Sequence, residues 1–214
     1  MLQGGIEMEV YIILTDTGTL FTKMIRRFTK YPLNHASISF TRELDRTYSF
    51  GRKRANNPFI GGFVKEDMNG KMFRRAKCAV YKCSVSEFEY KQMLNGVRKI
   101  EVEKQAYKYN FIGLFGVLIN KEINRKKAFF CSEFVATILK SGGIVISSKH
   151  PSLVKPNDLA NFEKFSLIYE GQLASYLSAL SDSISKISNE SEATASFLEK
   201  AKYIVGYKFI GGSF

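Results

Sequence analysis

The sequence predicts an α+β fold, because strand-like and helix-like patterns occupy separate stretches of it. Val10 to Leu14 is a continuous apolar run of strand length, and His35 to Phe40 alternates between polar and apolar side chains. Later stretches place apolar residues at helical spacing, most clearly after Cys131. With 214 residues and a hydrophobic content of 45%, the chain is long enough to bury one full core.

Turn signals separate the elements of the first eighty residues. Apolar side chains at helical spacing predict a helix that starts at Thr19 and stops at Tyr31-Pro32. The strand at His35 is expected to turn through residues 41–46 into an antiparallel strand at 47–51. Asparagine, proline and glycine residues between 56 and 62 predict a loop, followed by strands near 72–77 and 79–83.

Three helices are predicted after these strands. Ser84, with Glu87 three residues later, has the spacing of a capping box and predicts the start of the first helix. That helix is expected to bury Phe88, Met93 and Val97. Residues 107–119 predict a buried core helix. A helix from Cys131 to about Lys140 follows, and Gly142-Gly143 is the expected end signal.

The composition changes after Gly171. Residues 175–196 are rich in serine and carry leucine and isoleucine at a spacing of three to four, which predicts an amphipathic helix. A second apolar segment, 197–214, follows it. We therefore expect one domain at 1–171 and a helical appendage at 172–214.

Cys131 and His35 are the candidate reactive pair. A thiolate at a helix N-terminus is stabilised by unpaired backbone N–H groups and by the helix dipole, and a nearby imidazole can accept the thiol proton. The Cys131 N–H is also a candidate donor to an oxyanion. His35 opens a strand with Ser37 and Ser39 on the same side, so its ring can face a cleft. The other histidine, His150, is expected in an exposed loop.

The phrases around this pair resemble the circularly permuted branch of the papain-like, NlpC-type cysteine hydrolases, which includes relatives of lecithin retinol acyltransferase. As in that branch, and unlike papain, the histidine precedes the cysteine. The matching phrases run from the first strand to Gly171, at Tyr11–Thr15, Thr17–Leu20, Asn34–Ile38, Tyr48–Gly51, Tyr107–Leu118, Phe129–Val135, Lys155–Leu159 and Ile168–Gly171.

The resemblance implies a permuted papain-like fold, with an antiparallel, partly barrel-like sheet packed against the helix that carries Cys131. It implies a cysteine hydrolase that cleaves an amide (peptide, isopeptide or lipid amide) through a thioacyl-enzyme and needs no cofactor. Two alternatives stay open: a thioesterase or acyltransferase acting on lipid acyl groups, and a catalytically inactive module that binds a membrane surface.

The resemblance also implies a third catalytic residue, often an acidic or other polar side chain on the strand after the histidine strand. Ser49 occupies that position, with Thr47 one alternation away. A hydroxyl can fix the imidazole tautomer, but it stabilises imidazolium less than a carboxylate does. Glu133 is expected to point away from His35 and to complement the dipole of its helix.

The net charge of +12 comes entirely from residues 1–164, which carry 28 basic and 15 acidic side chains, whereas residues 165–214 carry four and five. Its clusters could attract an anionic membrane surface, and they lie at Arg26-Arg27, Arg52–Arg54, Arg74-Arg75 and Arg125–Lys127. No helix-turn-helix, RNA-recognition or zinc-finger pattern accompanies them, so nucleic acid is not an expected partner. The expected partner is a small-molecule, peptide or lipid substrate.

Three cysteines and two histidines predict neither a disulfide framework nor a metal site. Cys78 and Cys83 are interpreted as structural thiols. No apolar run has the length of a membrane-spanning helix, and the N-terminus lacks a signal-peptide pattern. These features favour a cytoplasmic protein.

Overall fold

The computed structural model describes residues 7–16, 32–54, 57–123 and 125–186 of the chain. The helix predicted from Thr19 and the basic pair Arg26-Arg27 lie outside the described residues. The same holds for everything after residue 186 and for the side chains of the basic cluster Arg52–Arg54.

The described strands form two sheets, with bounds β1 Glu7–Asp16, β2 His35–Ser39, β3 Thr47–Arg54, β4 Asn57–Lys65, β5 Lys77–Ser86, β6 Lys108–Tyr109, β7 Ala128–Phe129 and β8 Ser166–Gln172. The larger sheet has six strands in the order β4-β3-β2-β1-β5-β8, and every neighbouring pair in it is antiparallel. β1 lies between β2 and β5 and is buried on both faces, which is why its sequence is a continuous apolar run.

The helices after β5 alternate with the last three strands, and their bounds are α1 Glu87–Val102, α2 Phe111–Leu118, α3 Cys131–Ser141 and α4 Pro156–Ala160, plus a 3-10 turn at Pro151–Leu153. The core lies between the sheet and α1 and α3. Phe134 of α3 packs against Phe50 of β3 and Phe63 of β4, with ring centroids 5.2 and 5.9 Å apart. The α+β class predicted from the sequence is confirmed.

The two-stranded sheet sets the starting points of α2 and α3. β6 and β7 are parallel, with Tyr109 opposite Phe129, and each leads directly into one of the two helices. The Asn110 N–H, one residue before α2, donates to the Phe129 carbonyl at 2.9 Å. The first turns of α2 and α3 therefore begin side by side.

The loop predicted between residues 56 and 62 is wrong, because β4 occupies this segment. Its glycines serve close packing rather than a turn. A Cβ added at Gly61 would lie 2.8 Å from the Tyr109 Cβ, so only glycine lets β4 approach β6 this closely. The strand predicted near 72–77 is also wrong: residues 71–75 form turns, and β5 begins at Lys77.

The start of α1 lies two residues later than predicted. β5 continues through Ser86, and the capping box is formed by Ser86 and Glu89 instead of Ser84 and Glu87. The Ser86 N–H donates to the Glu89 carboxylate at 2.8 Å, and the Glu89 N–H donates to the Ser86 hydroxyl at 3.3 Å. Phe88 consequently faces solvent, whereas Met93 and Val97 are buried as predicted.

The helix predicted at 107–119 forms only in part, whereas the helix predicted at 131–140 is confirmed. α2 begins only at Phe111, and it is not the buried helix that was predicted, since Ile112 and Phe115 are exposed. α3 begins at Cys131 as predicted, and it ends at Gly142-Gly143, where Gly143 has a φ of +86°.

The chain divides into two compact units, Met1–Ala174 and Ser175–Phe214. In the second unit, the described residues 175–186 are helical. Among the helices of the described residues, none combines the length and the apolar character needed to cross a membrane.

Candidate active site

Cys131 is the first residue of α3, and its sulfur lies among backbone groups of the chain. The N–H groups of Ala36 and Ser132 point at Sγ and stabilise a thiolate there. The Asn34 carbonyl oxygen, 3.8 Å from Sγ, is the acceptor for a neutral thiol. The His35 ring also hydrogen-bonds to Sγ. The candidate nucleophile and its candidate base are therefore in direct contact.

His35 opens β2 and connects two partners through its ring. Its Nε2 lies 2.6 Å from Glu66 Oε1, which leaves Nδ1 as the ring nitrogen available to Cys131. His35 is therefore held between an anionic carboxylate on one side and the thiol on the other.

Glu66 is the direct partner of the histidine ring, and no sequence pattern distinguishes it from the other acidic residues. Its carboxylate accepts hydrogen bonds from three side chains, His35, Ser37 and Ser49. The Ser37 hydroxyl donates to Oε2 at 2.6 Å, and the Ser49 hydroxyl donates to Oε1 at 2.5 Å. All three carboxylate bonds form away from bulk water, since Glu66 is buried.

The β3–β4 hairpin explains how Glu66 reaches His35. The Glu66 N–H donates to the Thr47 carbonyl at 2.9 Å, which continues the hairpin one residue beyond β4. β2 and β3 pair only at Ile38–Tyr48 and Ser39–Thr47 within the described strands, so their pairing stops short of His35. The carboxylate of Glu66 links the two strands, because it contacts His35 and Ser37 on β2 and Ser49 on β3.

Ser49 lies where the alternation predicted, but its contact differs from the predicted one. Tyr48 and Phe50 are in the core, and Ser49 is buried on the opposite side with its hydroxyl bonded to Glu66. The direct contact with the ring that was expected of Ser49 is made by Glu66. Gly51 lies beside both groups, because a Cβ added there would be 3.5 Å from His35 Cε1 and 3.4 Å from Ser49 Oγ.

The electrostatics of the three groups favour an ion pair. Burial lowers the pKa of His35, but the charges and hydrogen bonds of Glu66 and Cys131 outweigh it and raise the pKa to about 10. Burial raises the pKa of Cys131, but the hydrogen bond and charge of His35 and the two backbone N–H groups bring it below the ordinary value. The pKa of Glu66 is lowered in the same way, by His35 and the two serines against the cost of burial.

The other two cysteines have the opposite electrostatics. Cys78 and Cys83 are buried free thiols. Burial, with the charge of Glu170, raises the pKa of Cys78 to about 12, and burial also raises the pKa of Cys83. All three cysteines are buried, so the neighbouring groups, not exposure, distinguish Cys131.

His150 and Glu133 stay apart from the ring of His35. His150 lies in an exposed turn, where its Nδ1 is 2.8 Å from the Ser152 hydroxyl. Glu133 is buried in the first turn of α3, accepts the Phe130 N–H at 3.2 Å and is hydrogen-bonded by the Asn110 side chain. Burial raises the pKa of Glu133 to about 7 despite these bonds.

The arrangement contains the groups that acyl transfer to a thiol requires. Cys131 is the candidate nucleophile, His35 is the candidate group to hold and return a proton, and Glu66 contacts the ring and can balance its charge. No described residue accepts a hydrogen bond from the Cys131 N–H, so this donor is available to an oxyanion.

Two further observations bear on the class of site. Among the described residues, no group of three or more histidine, cysteine, aspartate and glutamate side chains is arranged to hold a metal ion. The groups in contact at the site are a thiol, an imidazole, a carboxylate and two hydroxyls.

No protein-family model and no curated protein matches the chain.

Proposed function

We propose that the protein is a cysteine hydrolase that cleaves an amide bond through a thioacyl-enzyme. The observation that carries this proposal is the contact chain from Cys131 through His35 to Glu66, with Nε2 and Oε1 2.6 Å apart. Cys131 and His35 are the catalytic residues. Glu66 is the positioning residue for the ring, and Ser37 and Ser49 position Glu66.

The proposed reaction has two steps. The Cys131 thiolate attacks the carbonyl carbon, and the oxyanion accepts a hydrogen bond from the Cys131 N–H. The His35 imidazolium then gives its proton to the leaving amine as the carbon–nitrogen bond breaks, which leaves a thioester. In the second step, neutral His35 takes a proton from water as the oxygen of that water adds to the thioester. The carbon–sulfur bond then breaks, which releases the free acid and restores the Cys131 thiolate beside the His35 imidazolium.

Glu66 supports both steps by stabilising the protonated ring. A carboxylate at Nε2 holds Nδ1 towards the sulfur and lowers the free energy of the imidazolium form. A carboxylate stabilises the protonated ring more strongly than the hydroxyl expected at Ser49, because a hydroxyl carries no charge to balance the ring.

The resemblance noted in the sequence belongs to the same proposal. An α+β fold, an antiparallel sheet and a histidine strand that precedes the cysteine helix are all compatible with a permuted papain-like enzyme. The permuted connectivity, the barrel-like character of the sheet, the cytoplasmic location and the substrate classes (peptide, isopeptide or lipid amide) are parts of the proposal.

The test uses matched amide and ester substrates with the full-length protein. N-acyl amides of 7-amino-4-methylcoumarin and the corresponding umbelliferyl esters are compared, and intact mass spectrometry follows the acyl adduct. We expect amide turnover, with the adduct on Cys131 and none in the Cys131→Ala variant. Turnover of esters alone would favour the thioesterase or acyltransferase. No turnover and no adduct would favour the inactive membrane-surface module.

A further inference from the structure

One face of α2 exposes large apolar side chains. Ile112 and Phe115 are 54% and 53% exposed, and Ile119, which follows α2 directly, is 70% exposed. Their spacing of three and four residues places all three side chains on the same side of the helix. A short helix of a globular protein normally turns such a face to the core, so a contiguous apolar face in solvent indicates a binding surface.

Cationic residues precede and follow this helix in the chain. Lys108 precedes the helix, and Lys121 follows it, with its N–H bonded to the Gly116 carbonyl at 2.8 Å. Arg125 and Lys126 lie just before β7, the strand that pairs with β6. These four residues are exposed, and none of them forms an ion pair with another described residue.

We propose that the α2 surface, defined by Ile112, Phe115 and Ile119 with the flanking Lys108, Lys121, Arg125 and Lys126, docks onto an anionic phospholipid bilayer. Apolar side chains beside basic ones are the arrangement of a helix that lies in the membrane interface. The apolar side chains enter the headgroup boundary, and the cations pair with lipid phosphates. Charge complementarity selects this occupant over a second copy of the chain, which would oppose one cationic rim to another.

The α2 surface begins next to the candidate active site. The Asn110 N–H bonds to the Phe129 carbonyl, and the Asn110 side chain hydrogen-bonds to Glu133 in the first turn of α3. A bilayer bound to α2 therefore lies near the helix end that carries Cys131. Docking itself does not depend on whether Cys131 is a nucleophile.

Vesicle flotation with the full-length protein tests the docking. Wild-type protein and the Cys131→Ala variant are mixed with vesicles of phosphatidylcholine, or of phosphatidylcholine with phosphatidylglycerol. We expect both proteins to bind the anionic vesicles at least about tenfold more tightly than the neutral ones. Absence of binding to anionic vesicles would overturn the docking proposal and leave the proposed hydrolase untouched.

Surface variants locate the contact. We expect Ile112→Ser combined with Phe115→Ser to weaken vesicle binding about tenfold or more, because the inserted apolar side chains are lost. Phe88→Ser, which removes an even more exposed apolar side chain from α1, is the control and should bind as wild type does. Equal losses in both variants, or none in either, would contradict the proposal.

The charge contribution has its own control. Lys121→Glu with Arg125→Glu should weaken binding to anionic vesicles, whereas Arg98→Glu with Lys99→Glu on α1 changes the net charge equally and should have little effect. If both pairs act alike, bulk charge drives binding and the α2 surface is not the contact. If the wild type is a dimer in solution that the Ile112→Ser and Phe115→Ser variant dissociates, a second copy covers the surface and the proposal fails.

Discussion

Glu66 and Glu133 are both buried carboxylates, but their pKa values move in opposite directions. Glu66 follows β4, and the pKa of its carboxyl is lowered by His35, Ser37 and Ser49. Glu133 lies in the first turn of α3, and burial raises its pKa to about 7. Both side chains accept hydrogen bonds, three at Glu66 and two at Glu133, so the presence of hydrogen bonds does not by itself explain the difference.

The charge of the partner explains it. Glu66 faces an imidazolium, and an opposite charge within contact distance offsets the cost of removing a carboxylate from water. Glu133 has only neutral donors, the Phe130 N–H and the Asn110 amide, and the negative charge of Glu122 opposes its ionisation. Glu66 is therefore held ionised at the candidate site, whereas Glu133, two residues after Cys131, is protonated more easily than an ordinary carboxyl.

The largest expected effect on turnover comes from removing either Cys131 or His35. We expect Cys131→Ala and His35→Ala each to abolish amide turnover, because one removes the nucleophile and the other its base. His150→Ala is the matched control and should retain activity, since His150 lies in an exposed turn. Steady-state rates with the coumarin amides measure this, and a dead His150→Ala variant would overturn the assignment of the base.

Isosteric changes at Glu66 and Glu133 are expected to have unequal effects on turnover. Glu66→Gln removes the charge that balances imidazolium, so we expect turnover to fall roughly 10³-fold. Glu133→Gln should leave turnover within about threefold, because no charge is lost from the ring. The pH profile of turnover distinguishes a positioning role from misfolding, since loss of Glu66 should also shift the His35 limb to lower pH. Equal losses in both variants would remove the functional distinction between the two sites.

The three thiols should differ in reactivity. We expect iodoacetamide to alkylate Cys131 at least about 100-fold faster than Cys78 or Cys83 at pH 7, because only Cys131 has a lowered pKa. In Glu66→Gln this advantage should shrink, as His35 then loses its charge more readily. Brief labelling followed by peptide mass spectrometry gives the rates, and equal labelling of the three cysteines would contradict the ion-pair description.

Glu133 should make the stability of the fold depend on pH. Its folded-state pKa, about 7, is above the unfolded value of 4.5, so the folded state holds this proton more tightly. The stabilisation is complete below pH 4.5 and is lost as the pH rises through 7. We expect the free energy of unfolding to fall by on the order of 2 kcal/mol more in wild type than in Glu133→Gln between pH 5 and 8. Urea denaturation at the two pH values measures this, and parallel curves would show that Glu133 does not titrate in this range.

Among the residues proposed to act in turnover, Ser49 is expected to have the smallest effect. Its hydroxyl donates to Glu66 and not to the ring, so Ser49→Ala removes one hydrogen bond from the positioning residue, worth on the order of 1 kcal/mol. We expect turnover to fall about tenfold. Ser37→Ala, which removes the bond to Oε2, is the matched comparison. A loss at Ser49 as large as that in Glu66→Gln would indicate that Ser49 contacts the reacting groups directly.

Local patterns were sufficient for the parts of the molecule that depend on neighbouring residues. The strand at β1, the hairpin from β2 into β3 and the start of α3 at Cys131 follow from alternation, turn residues and a terminal glycine pair. The side of β3 on which Ser49 lies also follows from alternation, because Tyr48 and Phe50 are apolar. The candidate pair Cys131 and His35 could thus be selected from the sequence.

Three features required the tertiary structure. Gly61 lies in a strand and not in a loop, and its lack of a side chain lets Tyr109 from a distant segment approach its backbone. The exposure of Phe115 depends on which segments of the chain pack against α2, and the periodicity of the helix sequence does not reveal those segments. Glu66 is one acidic residue among several in the sequence. Only the pairing of β3 with β4, together with the short pairing of β2 with β3, brings its carboxylate to His35. Local sequence specifies local geometry, whereas the partner of a buried charge is chosen by segments that meet only when the chain folds.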